Sequence, residues 1–277
     1  MVAASRVEQA YLAACLAELT ALKPGNVHAY AAGHRMTVAD FEASARASAP
    51  VIAAPDLTVG ERILRASRLT RDAVTANTNL GILLLCAPLA QAALRSTGRD
   101  LRQGLQAVLE ALTVGDAVNA YAAIRLANPG GLGASPRHDV REPPQVTLLE
   151  AMRVASDRDR VAAQYITGFA DVFELGLDRL TAGRQRWHEF EWAVSSTYLG
   201  FLGEFPDSHI QRKFGLETAE AVRLEARKFD TLLSGTADPR VILHDLRMFD
   251  SALKDKDINP GTSADLTVAA LFVSNLQ

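Results

Sequence analysis

Apolar residues recur along this chain at three- and four-residue intervals almost from end to end, the spacing that lines up one stripe of a helix. With start and stop signals added, the pattern predicts helices over residues 6–22, 38–53, 59–76, 80–95, 100–112, 114–127, 148–156, 159–176, 184–203, 217–234, 239–254 and 264–276. Alternating runs bounded by turns, the mark of strands, are missing. Helix starts carry Ser/Thr-x-x-Glu/Asp boxes, in which a hydroxyl and a carboxylate satisfy each other's backbone N–H groups. They occur at Ser5 to Glu8, Thr37 to Asp40, Thr58 to Glu61, Thr113 to Asp116 and Thr147 to Glu150. The phrases Thr58-Val59-Gly60-Glu61 and Thr113-Val114-Gly115-Asp116 are alike, but the residues after them differ, so this is repeated capping and not a repeat protein. The expectation is an all-α fold, one domain over residues 1–277, with a buried central helical layer and Ala-rich helices in close approach. The one long irregular stretch, Asn128 to Pro144, opens Asn128-Pro129-Gly130-Gly131-Leu132-Gly133 and reads as either a lid or a disordered loop.

Composition narrows the function. The 277 residues are 48% hydrophobic, ample for a core, and the formal net charge is −3. That leaves no basic field for nucleic acid and no support for membrane-surface binding. The most apolar stretch, Leu80 to Leu94, contains Pro88 and is too short to cross ~30 Å of hydrocarbon. Cys15 and Cys86 both fall in apolar helical patterns and read as buried thiols of a reducing compartment. Met1 to Glu8 has no apolar run behind a basic start, so a cytoplasmic protein is expected. His188-Glu189 lacks the second His of a zinc-protease helix.

Several polar clusters interrupt the apolar pattern. Asn259-Pro260-Gly261-Thr262-Ser263-Ala264-Asp265 puts a turn, two hydroxyls and a carboxylate ahead of an apolar helix, where unpaired N–H groups and a positive dipole end suit anions. Asp265 is there either as a cap or as a ligand of metal or substrate. Glu18 breaks the apolar face Val7, Tyr11, Ala14 of the first helix, either as an ion-pair partner or as a metal ligand or base. Lys23-Pro24-Gly25-Asn26-Val27-His28 and Gly33-His34 come next, a turn where backbone can approach a ligand with Lys23, Asn26, His28 and His34 as anion donors. Asn77-Thr78-Asn79 offers three polar side chains where capping needs one. Asp157-Arg158-Asp159 is either capping and solvated surface or a Mg²⁺ carboxylate pair with an Arg for phosphate. His138-Asp139, Asp207-Ser208-His209 and His244-Asp245 read as surface features, because neighbours on a helix point apart. No phosphate-binding or nucleophile-elbow glycine motif is present.

In order and approximate spacing, Glu18, Lys23-Pro24-Gly25-Asn26-Val27, Gly33-His34, Phe41, Ser44, Asn77-Thr78-Asn79 with Gly81, and Asn259 to Leu266 resemble the triphosphoribosyl-dephospho-coenzyme A synthase family. The chain departs from the family pattern at Arg35, Leu80, Asp157-Arg158-Asp159 and the glycine-rich stretch Gly131 to Pro136. The resemblance implies an all-α enzyme that moves the triphosphoribosyl group of ATP to the 2′-hydroxyl of dephospho-coenzyme A and releases adenine, with Mg²⁺ on the triphosphate. Its partners would be nucleotide-type small molecules, and a homodimer is compatible with it. Under it, Glu18 or Asp265 acts as base or as stabiliser of an oxocarbenium-like ribose, and His34 as the acid. Lys23, Gly25, Asn26, His28, Asn77, Thr78, Asn79, Arg158, Asn259, Gly261 and Ser263 would bind substrate and phosphates, and Asp157, Asp159 and Asp265 the metal. A phosphotransferase or nucleotide-processing enzyme of a one-carbon or pterin cofactor pathway, and a non-catalytic helical scaffold, are the competing readings.

Overall fold

The structure, a computed structural model, describes residues 2–95, 100–133, 135 and 137–277. Among the described residues there are helices and no strands; two isolated bridges, His28 with Ala31 and Gly33 with Met36, close small turns after the first helix. The α-helices are α1 (Ala4–Thr20), α2 (Val38–Ile52), α3 (Val59–Ala73), α4 (Leu80–Arg95), α5 (Leu101–Glu110), α6 (Val114–Ala127), α7 (Leu148–Ala155), α8 (Arg160–Thr167), α9 (Leu177–Arg186), α10 (Phe190–Glu204), α11 (Ser208–Phe214), α12 (Leu216–Gly235), α13 (Leu243–Lys254) and α14 (Gly261–Leu276). The all-α expectation holds.

Four of the five predicted capping boxes form, at Thr37, Thr58, Thr113 and Thr147, each with both reciprocal bonds. The fifth does not. α1 begins at Ala4 with Ala3 as an uncapped N-cap, so Ser5 already lies inside the helix. Three predicted helices are each two elements. The 159–176 segment is cut by Gly168, left-handed at φ +62°, and resumes as a π-helical turn, Asp171–Gly176, that runs into α9. The 184–203 segment breaks where Trp187 adopts extended backbone and its side chain is buried. The 239–254 segment begins as a 3₁₀ turn, Pro239–Ile242, before α13. Residues 208–214 form a helix the periodicity does not predict, and Gly215 at φ +86° separates it from α12.

The central layer is α1, α4, α10 and α14. In α4 every residue from Ile82 to Leu94 is buried, and α10 is buried from Trp192 to Gly203. A helix apolar on all sides must be covered on all sides. α14 supplies that cover, packing on α1, α4 and α10, while α2, α3 and α5 flank α1 and α4. A second apolar cluster joins α10 to α12 and α13. Among the described residues no single helix is long and apolar enough to cross a membrane. The polar residues that interrupt these patterns collect where the starts of α4 and α14 meet the loop after α1.

Candidate active site

A cleft of about 1140 Å³, counting the solvent at its mouth, opens at that junction. Glu18 from the last turn of α1, Asn26 from the following loop, Asn77 to Gly81 at the start of α4, Asn259, Gly261 and Asp265 at the start of α14 all line it. Its other wall is Asn128, Pro129, Gly130 and Leu132 after α6, Asp159 before α8, and His209 and Arg212 on α11. The irregular stretch after α6 thus supplies cleft wall through its described residues; residues 134 and 136 of the loosely matched glycine-rich segment lie outside them.

Asp265 is not a cap. α14 starts at Gly261, three residues earlier than the periodicity predicts, so Asp265 sits a full turn inside the helix and faces the cleft. Desolvation, and the nearby carboxylates of Asp207, Glu18 and Asp159, hold its carboxyl well above the usual carboxylate range, with Arg212 pulling the other way. Gly81 makes room for it: a methyl group at position 81 would overlap the Asp265 carboxylate.

Glu18 and Lys23 form a fully buried ion pair. Burial pushes the Glu18 carboxyl up and the Lys23 ammonium down, and their mutual attraction opposes both. Lys23 Nζ also donates to Asn26 Oδ1 at 3.0 Å, and Asn26 Nδ2 donates to Asn259 Oδ1 at 2.8 Å. This chain of bonds fastens the end of α1 to the approach to α14. Lys23 therefore stands behind the cleft wall, where it holds Glu18 and cannot meet a phosphate.

The neighbouring predicted residues support the same loop. Gly25 takes φ +81°, and a Cβ there would lie 2.8 Å from Pro260 Cδ and 2.9 Å from Ile258 O, so the turn can rest against the 258–260 segment only as glycine. Gly25 N donates to Asp250 Oδ1 at 2.8 Å. Buried His28 pairs with Asp250 Oδ2 at 3.1 Å, and Lys254 completes the cluster. Burial, outweighing Asp250, pushes the His28 imidazole down. His34 spans Gly25 O at 2.7 Å and Asp257 Oδ1 at 2.8 Å. Neither histidine lines the cleft. The polar atoms of Lys23, His28 and His34 are thus engaged with protein partners and not directed into the cleft.

The metal set is not gathered either. Asp157 is exposed and lies outside the cleft. Asp159 caps α8, with Oδ1 accepting from Ala162 N at 3.1 Å and Oδ2 paired with Arg212 at 3.1 Å. Among the described residues no group of three or more His, Cys, Asp or Glu comes together as a metal site. Arg158 is exposed, bonds Ser135 Oγ at 2.8 Å and lines an adjoining cavity that shares Asp159 and Arg212 with the cleft. Ser263 is buried and donates through N and Oγ to Asp207 at 2.8 and 2.9 Å, so it anchors helices and does not face substrate.

Asp207-Ser208-His209, expected at the surface, is instead the hinge of the far wall. Asp207 is buried and caps α11 through His209 N and Ile210 N while its other oxygen holds Ser263. Ser208 Oγ meets Thr262 Oγ1 at 2.9 Å. His209 is carried into the cleft over Gly261, where a Cβ would stand 2.5 Å from His209 Nδ1. Burial, then Arg212, Lys213 and His34, push its imidazole down to about 4, so it is uncharged at neutral pH. Asp-Ser before a short apolar-polar run is a helix-start signal, and that signal is the route by which sequence reasoning could find these residues.

Residues 4–277 match the family described as ATP:dephospho-CoA triphosphoribosyl transferase. A search of curated proteins found no match. Among solved structures the chain is similar to a protein from Archaeoglobus fulgidus assigned as a triphosphoribosyl-dephospho-CoA synthase, with 26% identity, a TM-score of 0.66, and coverage of 84% of this chain and 96% of that one.

Proposed function

The chain belongs to the ATP:dephospho-CoA triphosphoribosyl transferase family, and from that premise we propose that the cleft between α1, α4 and α14 is where the transfer takes place. As a member it is a transferase, moving a triphosphoribosyl group from ATP to dephospho-coenzyme A. In this reading the acceptor 2′-oxygen bonds to C1′ of the ATP ribose as the bond from C1′ to adenine breaks. The observation that carries the assignment is the Asp265 carboxyl: it lines the cleft, its pKa is held high, and Gly81 is kept bare to admit it. A carboxyl whose pKa is raised by burial and by neighbouring carboxylates is suited to hand a proton to the departing adenine. Glu18, kept in place by Lys23, faces the positive charge that builds on the ribose. Uncharged His209 accepts the proton of the attacking hydroxyl. Asn77, Asn79, Asn26 and Asn259 supply neutral hydrogen-bonding groups around the reactants.

The described residues do not build a resident magnesium site: Asp157 is exposed outside the cleft, both oxygens of Asp159 are engaged, and Asp265 is held in a setting that favours its neutral form. Mg²⁺ therefore enters as part of the Mg·ATP substrate, held by phosphate oxygens and water. A cytoplasmic location fits substrates of this kind. The test is incubation of the protein with ATP, Mg²⁺ and dephospho-coenzyme A, with mass spectrometry of the products. Adenine and a triphosphoribosylated acceptor are expected; ADP or AMP in place of adenine would reject the reading in favour of a phosphotransferase.

A further inference from the structure

A polyanion has to lie somewhere, and the cleft itself suits it badly. Glu18, Asp159 and Asp265 all line it, and the one arginine among its described lining residues, Arg212, is paired with Asp159. The cations foreseen for phosphate are elsewhere: Lys23 and His28 are buried in their own pairs and Arg158 opens onto the adjoining cavity. Next to the cleft, across Asn77, Asn79, Leu80 and Asn128, which border both, lies a trough of about 710 Å³ with its solvent included. It runs between α3, the start of α4 and the end of α6. Among the described residues no carboxylate lines it, and Arg71 does.

The lining is rich in donors. Arg71 Nη1 donates to Leu126 O at 2.7 Å, which fixes the guanidinium beside the end of α6. Thr70 Oγ1 accepts from Asn79 Nδ2 at 3.0 Å, which links the trough to the segment carrying Gly81 and so to Asp265. Ser67 is 6% exposed, lines the trough, and its hydroxyl has no hydrogen-bond partner among the described residues. A buried hydroxyl left without a partner calls for an explanation. A bound acceptor oxygen is one.

We infer that this trough is the subsite for the triphosphate tail of ATP, with Arg71 and Ser67 as phosphate ligands. The inference rests on the transferase reading for the identity of the tail and on the trough for its location. With the phosphates beside α3, the ribose falls at Asn77 and Asn79, at the edge of the cleft that holds Asp265. Adenine and acceptor then share the cleft proper, away from the tail.

The experiment is calorimetric titration of the full chain with Mg·ATP, adenosine, inorganic tripolyphosphate and dephospho-coenzyme A, repeated on Arg71→Gln and Ser67→Ala, with circular dichroism to confirm the fold. Loss of one charge-assisted contact should weaken Mg·ATP and tripolyphosphate about tenfold in Arg71→Gln, with a smaller loss in Ser67→Ala. Adenosine and dephospho-coenzyme A should bind as before. Unchanged Mg·ATP affinity in both variants, no tripolyphosphate binding by the unaltered protein, or a parallel fall for adenosine would each overturn the subsite. Adenine release by the unaltered protein is scored separately: its absence rejects the transferase reading, while the titrations still decide whether the trough binds the phosphates.

Discussion

At the residue scale, Asp265 links the stability of the protein to the chemistry of the cleft. Its folded-state pKa is raised above the unfolded value, so the folded protein binds this proton more tightly. Stability is then greatest below the ordinary carboxylate pKa and declines as pH rises from there through the raised value. Asp265→Asn removes that decline. We expect the variant to release no adenine and yet to melt a few degrees higher at neutral pH, since ~1 kcal/mol shifts Tm by about 2–4 °C in a chain of this size. A melting temperature that falls, with activity retained, would remove Asp265 from the chemistry. His209 gives the acid side of the pH–rate profile: turnover should fall as pH drops toward 4, where the imidazole takes up a proton, and His209→Ala should cost about 100-fold in kcat at neutral pH. As pH rises through the raised value of Asp265 the rate should decline as that carboxyl ionises. A flat profile in the unaltered protein would contradict both assignments.

At the element scale, helix starts are the most legible part of the sequence, because capping is a local exchange of two hydrogen bonds. Thr113 with Asp116 is the strongest instance, since Asp116 also accepts from Gly60 N at 2.8 Å and so ties α6 to α3. Burial raises the Asp116 pKa, but the bonds from Gly60 and Thr113 outweigh it and hold the carboxyl below its usual range. Its contribution is therefore present above the unfolded pKa and lost as pH falls through the folded one. Asp116→Ala should cost about 2–3 kcal/mol in urea unfolding at pH 7, and progressively less as pH falls below the ordinary carboxylate range. Local signals do not reveal how long helices are cut. Trp187 ends α9 without any glycine or proline because its ring is drawn into the core beside Gly183. The seven-residue α11 is too short to show a period, and that is why His209 and Arg212 escape a reading by pattern. The same limit applies at the site. Glu18, Asn26, Asn77, Thr78, Asn79, Asp159, Asn259, Gly261 and Asp265 stand out by residue type and do line the cleft. Lys23, His28, His34 and Ser263 stand out by type as well, but type does not say which way a side chain points, and all four turn inward to protein partners.

At the scale of the whole molecule, the cleft exists because the first loop and the last helix are tied together across the chain. The tie runs through Glu18, Lys23, Asn26 and Asn259. Removing one member of a buried pair leaves its partner's charge uncompensated, at about 3–5 kcal/mol. Lys23→Ala should lose that much stability, and the Glu18→Gln, Lys23→Met double variant should recover part of it while remaining inactive. Equal stability of the single and double variants, measured by denaturant unfolding, would show that the two charges do not stabilise each other. The far wall has a comparable tie in Asp207, which uses one carboxylate to hold α11 and α14 in register.

The bare α-carbon at position 81 has a further consequence. Any side chain there, even the smallest, would push the Asp265 carboxylate aside. Gly81→Ala should thus give a chain that still captures its nucleotide but lets nothing go, a natural decoy for freezing the two reactants in a crystal before they react.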